Sequence, residues 1–202
     1  MVEKKKVMVL FILFFLFFGG TQTWAKEEKF ATVINPVRGD DFWQLTDQQP
    51  QDFIIFQKNI LKEKGIKATW LLRPDFLFSQ DYSSLFLKEE FNRDEKGIFL
   101  EVTPGWAQVA GVKYPIEGYW SLAKNIFLSG YNSEERKELI DTAFDEFRNL
   151  FGYYPQTVGA WHIDPYSAGY MARTYGVKVT LICSDQASTD GYQIWGGWWG
   201  VP

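Results

Sequence analysis

A parallel α/β sheet or barrel is the fold class this sequence predicts, and three observations predict it. Strand-like apolar runs alternate with amphipathic helical runs along most of the chain. Runs such as Ile98–Leu100 and Val177–Cys183 show little polar alternation, as expected of strands buried on both faces. Polar or acidic residues stand at the exit of nearly every run. Parallel strands joined by helices open their carboxyl ends onto one face, and sites are built there.

Residues 1–25 are set apart from the fold. Lys4-Lys5-Lys6 precedes an unbroken apolar run, Val7 to Phe18, and Gly19-Gly20 then leads to Thr23-Trp24-Ala25. That is the layout of a secretory signal, and the run falls short of the ~20 apolar residues of a spanning helix. An uncleaved N-terminal anchor is the alternative, and both predict export. Residues 26–202 carry no internal repeat, low-complexity stretch or Ser/Pro/Gly linker, so they read as one domain.

Its elements follow in order. Ala31–Asn35 is a strand leading to Asp40-Asp41. Pro50–Lys64 is a helix with the apolar stripe Phe53, Ile54, Phe56, Ile60 and Leu61, stopped by Gly65. The strand Ala68–Leu72 leads to Arg73-Pro74-Asp75, and Tyr82–Arg93 fits a helix with Leu85, Phe86, Leu87 and Phe91 inward. Ile98–Leu100 leads directly to Glu101. The helix Ser133–Phe151 has Ser133 as its expected N-cap, Glu134 and Glu135 at its positive end, and Gly152 after its last turn. Val158–Trp161 leads to His162-Ile163-Asp164, a short helix spans Ser167–Tyr175, and Val177–Cys183 leads to Asp185-Gln186. About five strands are too few for a closed barrel of eight. The expectation is a (β/α) barrel truncated at the C-terminus.

Composition narrows the function classes. Residues 1–25 hold Glu3 and three lysines, so their removal takes the net charge from −4 to −6. A mildly acidic exported domain without basic runs does not suit nucleic acid or anionic lipid. Membrane association is expected only if the N-terminal segment stays uncleaved. Cys183 is the only cysteine, so no internal disulfide forms, and it reads as a buried small hydrophobe. The single His162 excludes any site needing two or three histidines from this chain.

Four segments carry a resemblance. Lys62-Glu-Lys-Gly-Ile-Lys-Ala-Thr-Trp-Leu-Leu72, Gly39-Asp-Asp-Phe42, Phe151-Gly-Tyr-Tyr-Pro-Gln-Thr-Val-Gly-Ala-Trp161 and Met171-Ala-Arg-Thr-Tyr-Gly-Val177 together resemble the polysaccharide deacetylases. The likeness runs through most of residues 30–185, at the level of the barrel shared by sugar deacetylases and certain glycoside hydrolases. It implies Asp40 as base and Asp41 as metal ligand. The family's histidine pair belongs after strand three, where this chain has Leu100-Glu-Val-Thr-Pro-Gly-Trp106, and Phe42 replaces a usual Gly. Catalytic zinc sites usually include histidine, so the usual deacetylase site is absent. A divalent cation held by Asp41, Glu101 and carbonyls is the remaining metal reading.

The catalytic candidates are therefore Asp40, Asp41, Glu101 and Asp164. Each has a structural alternative: a turn or cap for the Asp pair, a salt bridge to Arg73 for Glu101, and a helix N-cap for Asp164. Arg38-Gly39-Asp40 also matches a cell-adhesion tripeptide, a triplet common by chance. Substrate-binding candidates are Arg73, Asp75, His162, Asp185, Trp195, Trp198 and Trp199. His162 reads equally as a hydrogen-bonded core residue. The last three tryptophans lie among glycines, where an aromatic platform for sugars is favoured over core packing. Two facing carboxylates suffice for glycoside hydrolysis, and clustering is expected to raise the pKa of one so that it acts as acid. The leading expectation is an exported carbohydrate hydrolase acting on a polysaccharide. A non-catalytic glycan-binding relative is the second, favoured by the missing histidines.

Overall fold

The structure, a computed structural model, describes residues 31–39, 50–115 and 123–182. Its secondary structure lies within one compact unit, Thr32–Pro202. Five strands form a parallel, curled sheet in the order β1 (Val33–Val37), β2 (Ala68–Leu72), β3 (Glu95–Phe99), β4 (Thr157–Gly159) and β5 (Val179–Leu181). Each strand pairs with the next in sequence. Crossovers between parallel strands are right-handed as a rule, and when they always step the same way the connecting helices gather on one face and the sheet curls on the other. The α/β expectation holds, with strand boundaries shifted by two or three residues for β1, β3 and β5.

The helices are α1 (Pro50–Glu63), α2 (Pro74–Phe78), α3 (Gln80–Ser83), α4 (Pro104–Val109), α5 (Ala123–Ile126), α6 (Ser133–Phe151) and α7 (Pro165–Tyr175). The outward strand residues Ala68, Trp70, Leu72, Ile98, Leu100, Val158 and Ala160 form one core with Ile54, Leu61, Phe144, Phe147 and Met171 from the helices. Trp106 is fully buried there, and its indole N–H donates to the Leu139 carbonyl at 3.0 Å, tying α4 to α6.

Two expectations about helices change. The stretch Tyr82–Arg93 is not one helix: after α3 come two 3-10 turns, Ser84–Leu87 and Glu89–Phe91, separated by the extended Lys88. This breakage lets Phe86 and Phe91 both pack edge-on to Trp70, at 5.7 and 5.8 Å between centroids, while Leu87 faces solvent. The α1 stripe also divides. Ile54 and Leu61 are buried, whereas Phe53, Phe56 and Ile60 are exposed.

At α6 the N-cap is Asn132, one residue before the expected Ser133. Its side chain accepts from the amides of Glu134 and Glu135, and Glu135 reaches back to the Asn132 N–H at 2.9 Å. This reciprocal pairing satisfies three N-terminal amide donors, those of Asn132, Glu134 and Glu135.

The inward strand face is the one that positions the site. Alternation puts Thr69 and Leu71, Gly97 and Phe99, and Thr157 and Gly159 on it. Leu71 is fully buried, and its methyls occupy the space where side chains at Gly97 and Gly159 would begin. Below it, the hydroxyls of Thr69 and Thr157 both donate to Glu95, bridging β2 to β4 across β3.

Candidate functional site

Continuing the inward alternation past the strand ends brings Arg38, Arg73, Glu101 and Trp161 together, one from each of the first four strands. Glu101 is the centre and is only 1% exposed. It accepts from Arg38 at 2.9 Å, from Arg73 at 2.5 Å and from the Trp161 indole at 2.8 Å. Arg73 in turn grips Asp75 with two bonds of 2.7 and 2.6 Å. The Arg38 guanidinium lies 5.7 Å from the Phe99 ring centroid and 5.6 Å from that of Trp161.

Two guanidiniums and two carboxylates make this cluster neutral as a set. Burial pushes the Glu101 pKa up, but the bonds and charge of Arg38, then the charge of Arg73 and the Trp161 bond, outweigh it. The carboxyl is held below the usual glutamate range. For Arg73, burial alone would favour the neutral form, yet Asp75 and Glu101 reverse that and raise its pKa. The expectation that clustered carboxylates raise one another and keep one protonated therefore does not describe Glu101. The salt bridge to Arg73 weighed as its structural alternative is present. A cation at Glu101 also fits poorly, because positive groups already occupy both of its oxygens. Among the described residues no cluster of three or more His, Cys, Asp or Glu is arranged to hold a metal.

Asp164 is placed differently. It is the N-cap of α7, accepting from the Ser167 amide at 2.9 Å and the Ser167 hydroxyl at 2.7 Å, and it pairs with Arg136 at 3.0 Å. His162 stacks on Phe127 at 5.6 Å, with Nδ1 3.5 Å from the Ser129 hydroxyl. The cap explanation gives a direct expectation. Asp164→Ala should destabilise the fold by about 1–2 kcal/mol, and Asp164→Asn by clearly less, since an amide oxygen still caps. Urea unfolding of the three proteins checks it; equal loss in both variants would instead assign the effect to the charge pair with Arg136.

No protein-family model matches this chain, and no curated protein matches it.

The sequence candidates thus sort by place. Arg73, Asp75 and Glu101 come together as expected of neighbouring strand exits, and Asp164 serves a helix end. Asp40, Asp41, Asp185, Trp195, Trp198 and Trp199 lie outside the described residues. Arg38 is the residue that sequence reasoning passed over, having weighed it only within the adhesion triplet. The signal was available: Arg38 stands two residues after Pro36 on β1, as Arg73 stands two after Leu71, and Pro36 and Leu71 are register partners.

Proposed function

We propose that this chain is an exported glycan-binding domain on a barrel of the polysaccharide-deacetylase type, with its ligand site at the carboxyl ends of β1 to β4. The observation that carries the reading is the Arg38–Glu101–Arg73–Asp75 network set beside the Phe99 and Trp161 rings. Fixed, charged donors and acceptors next to an aromatic face are what a ligand rich in hydroxyls and C–H surface requires. Glu101 is kept ionised with both oxygens hydrogen-bonded, which suits holding Arg38, Arg73 and Trp161 in place and not proton donation.

Hydrolysis is the second reading. It is supported by Asp40 and Asp41, which follow directly on Arg38 and Gly39. Gly39 lies against Asp75: a side chain there would begin 2.7 Å from the Asp75 carboxylate. In this reading the two aspartates supply acid and base, and Glu101 positions.

The test uses the full chain against a panel of neutral and acidic polysaccharide fragments, with calorimetry for binding and reducing-end and acetate assays for turnover. Binding without turnover, weakened about tenfold or more by Trp161→Ala, is the expected result. Turnover abolished by Asp40→Asn or Asp41→Asn would replace it with the hydrolase. Neither binding nor turnover would remove the sugar reading altogether.

A further inference from the structure

A cleft of about 590 Å³ opens at the other end of the sheet, among the residues that lead into β2 and β3. One wall is the second half of α1 and the loop after it, with Lys58, Lys62, Ile66 and Lys67; the other carries Lys88, Glu89, Glu90 and Arg93. We propose that this cleft binds a small anion bearing two or more phosphate or sulfate groups.

The argument is one of charge and partners. Five cations line the cleft against the three acids Glu89, Glu90 and Asp94, in a chain whose net charge is −4. Asp94 is neutralised from within: Lys58 binds it at 2.5 Å, the Trp70 indole at 2.9 Å, and the Ala68 amide at 3.3 Å. Lys96, coupled electrostatically to both Asp94 and Lys58, is a second buried lysine, and its ammonium donates to the Phe91 carbonyl at 2.7 Å. Lys58 and Asp94 line the cleft as a buried pair, and Lys96 lies outside its lining. Burial lowers the Lys96 pKa against the opposing charge of Asp94, and Lys58 adds a smaller push in the same direction as burial.

Around the rim, Lys62, Lys67, Lys88 and Arg93 are exposed and form no ion pair among the described residues. Lys62 alone is accounted for by its place in the last turn of α1, where a cation suits the helix dipole. Lys67 comes from the loop before β2 and Lys88 and Arg93 from the connection between β2 and β3, and folding brings the two segments together. Like charges so gathered repel one another unless an anion sits between them. The volume suits a small ligand carrying several charged groups.

Calorimetry on the full chain with inorganic tripolyphosphate, and in parallel with a sulfated disaccharide, tests the proposal and separates the two sources of such groups. Saturable binding of at least one probe at ionic strength about 0.15 M is expected, weakening as salt rises. The double variant Lys88→Glu/Arg93→Glu should weaken it about tenfold or more. Glu89→Gln/Glu90→Gln should tighten it, and Lys113→Glu, an exposed charge change elsewhere, should leave it unchanged. All these side chains are exposed, and matching thermal unfolding curves will show that the variants fold. No saturable binding of either probe, or equal weakening by Lys113→Glu, would overturn the site.

Discussion

Replacing Glu101 with alanine is expected to destabilise the protein by about 3–5 kcal/mol, the scale for breaking a buried ion pair. The cause is what remains. Arg38 and Arg73 would face each other across the vacated position, with Arg73 buried and only Asp75 left to balance it. Glu101→Gln should lose much of the same stability although it keeps the shape, because a neutral amide cannot answer two guanidiniums. The double replacement Arg73→Met/Glu101→Met should cost less than the sum of the singles, since the two paired charges leave together and Asp75 loses its partner only once. The pH dependence has a definite sign. The folded-state pKa of Glu101 lies below its unfolded value, so its contribution is fully present above the unfolded pKa, about 4.3, and is lost as pH falls through the lower folded value. Urea midpoints measured from pH 7 down to 3 should therefore fall more steeply in wild type than in Glu101→Gln. Parallel slopes would mean that Glu101 is not the ionised centre described here.

A second large effect is expected at the inward glycines, and the two should differ in whether they can be rescued. A Cβ on Gly97 would stand 2.2 Å from the Thr157 carbonyl oxygen and 2.8 Å from a Leu71 methyl; on Gly159 it would stand 2.5 Å from the other Leu71 methyl. Alanine at Gly97 must push strand from strand, and a loss of about 3 kcal/mol or more is expected, the upper range for overpacking. Alanine at Gly159 meets only the end of a side chain close at hand. Leu71→Ala should therefore restore much of the stability lost by Gly159→Ala and little of that lost by Gly97→Ala. Thermal unfolding of the three single and two double variants measures this, and equal rescue would show that the backbone at Thr157 gives way easily.

The sheet was legible because its signal is periodic and local. Runs such as Ala68–Leu72 are mostly apolar and are followed by a polar exit, and Gly65, Gly152 and Gly176 stop the helices before β2, β4 and β5, so order and direction follow from chain pattern alone. The site was legible only as far as parity along a strand extends. Arg73 and Glu101 were found from their place at strand ends, while the state of Glu101 depends on Arg38, 63 residues away in sequence. Asp164 shows the opposite limit: a cap and a catalytic acid have the same local sequence, and the pairing with Arg136, 28 residues earlier, is visible only in space. The broken helix after Tyr82 was hidden because its apolar spacing is helical, and only the demand of packing around Trp70 decides otherwise.

The strand order has a kinetic side. Because each strand pairs with its successor, every ladder closes over one connection, and those connections differ in length. Thr157 meets Val179 and Thr69 meets Glu95 across 22 and 26 residues, whereas Ile98 meets Val158 across 60. Chain-closure entropy rises by about 0.6 kcal/mol for each doubling of a loop, so the β3–β4 joint is the costliest to close before its contacts repay it. Assembly is then expected to form β1–β2–β3 and β4–β5 as separate halves that meet last at the seam where Gly97 lies against Thr157.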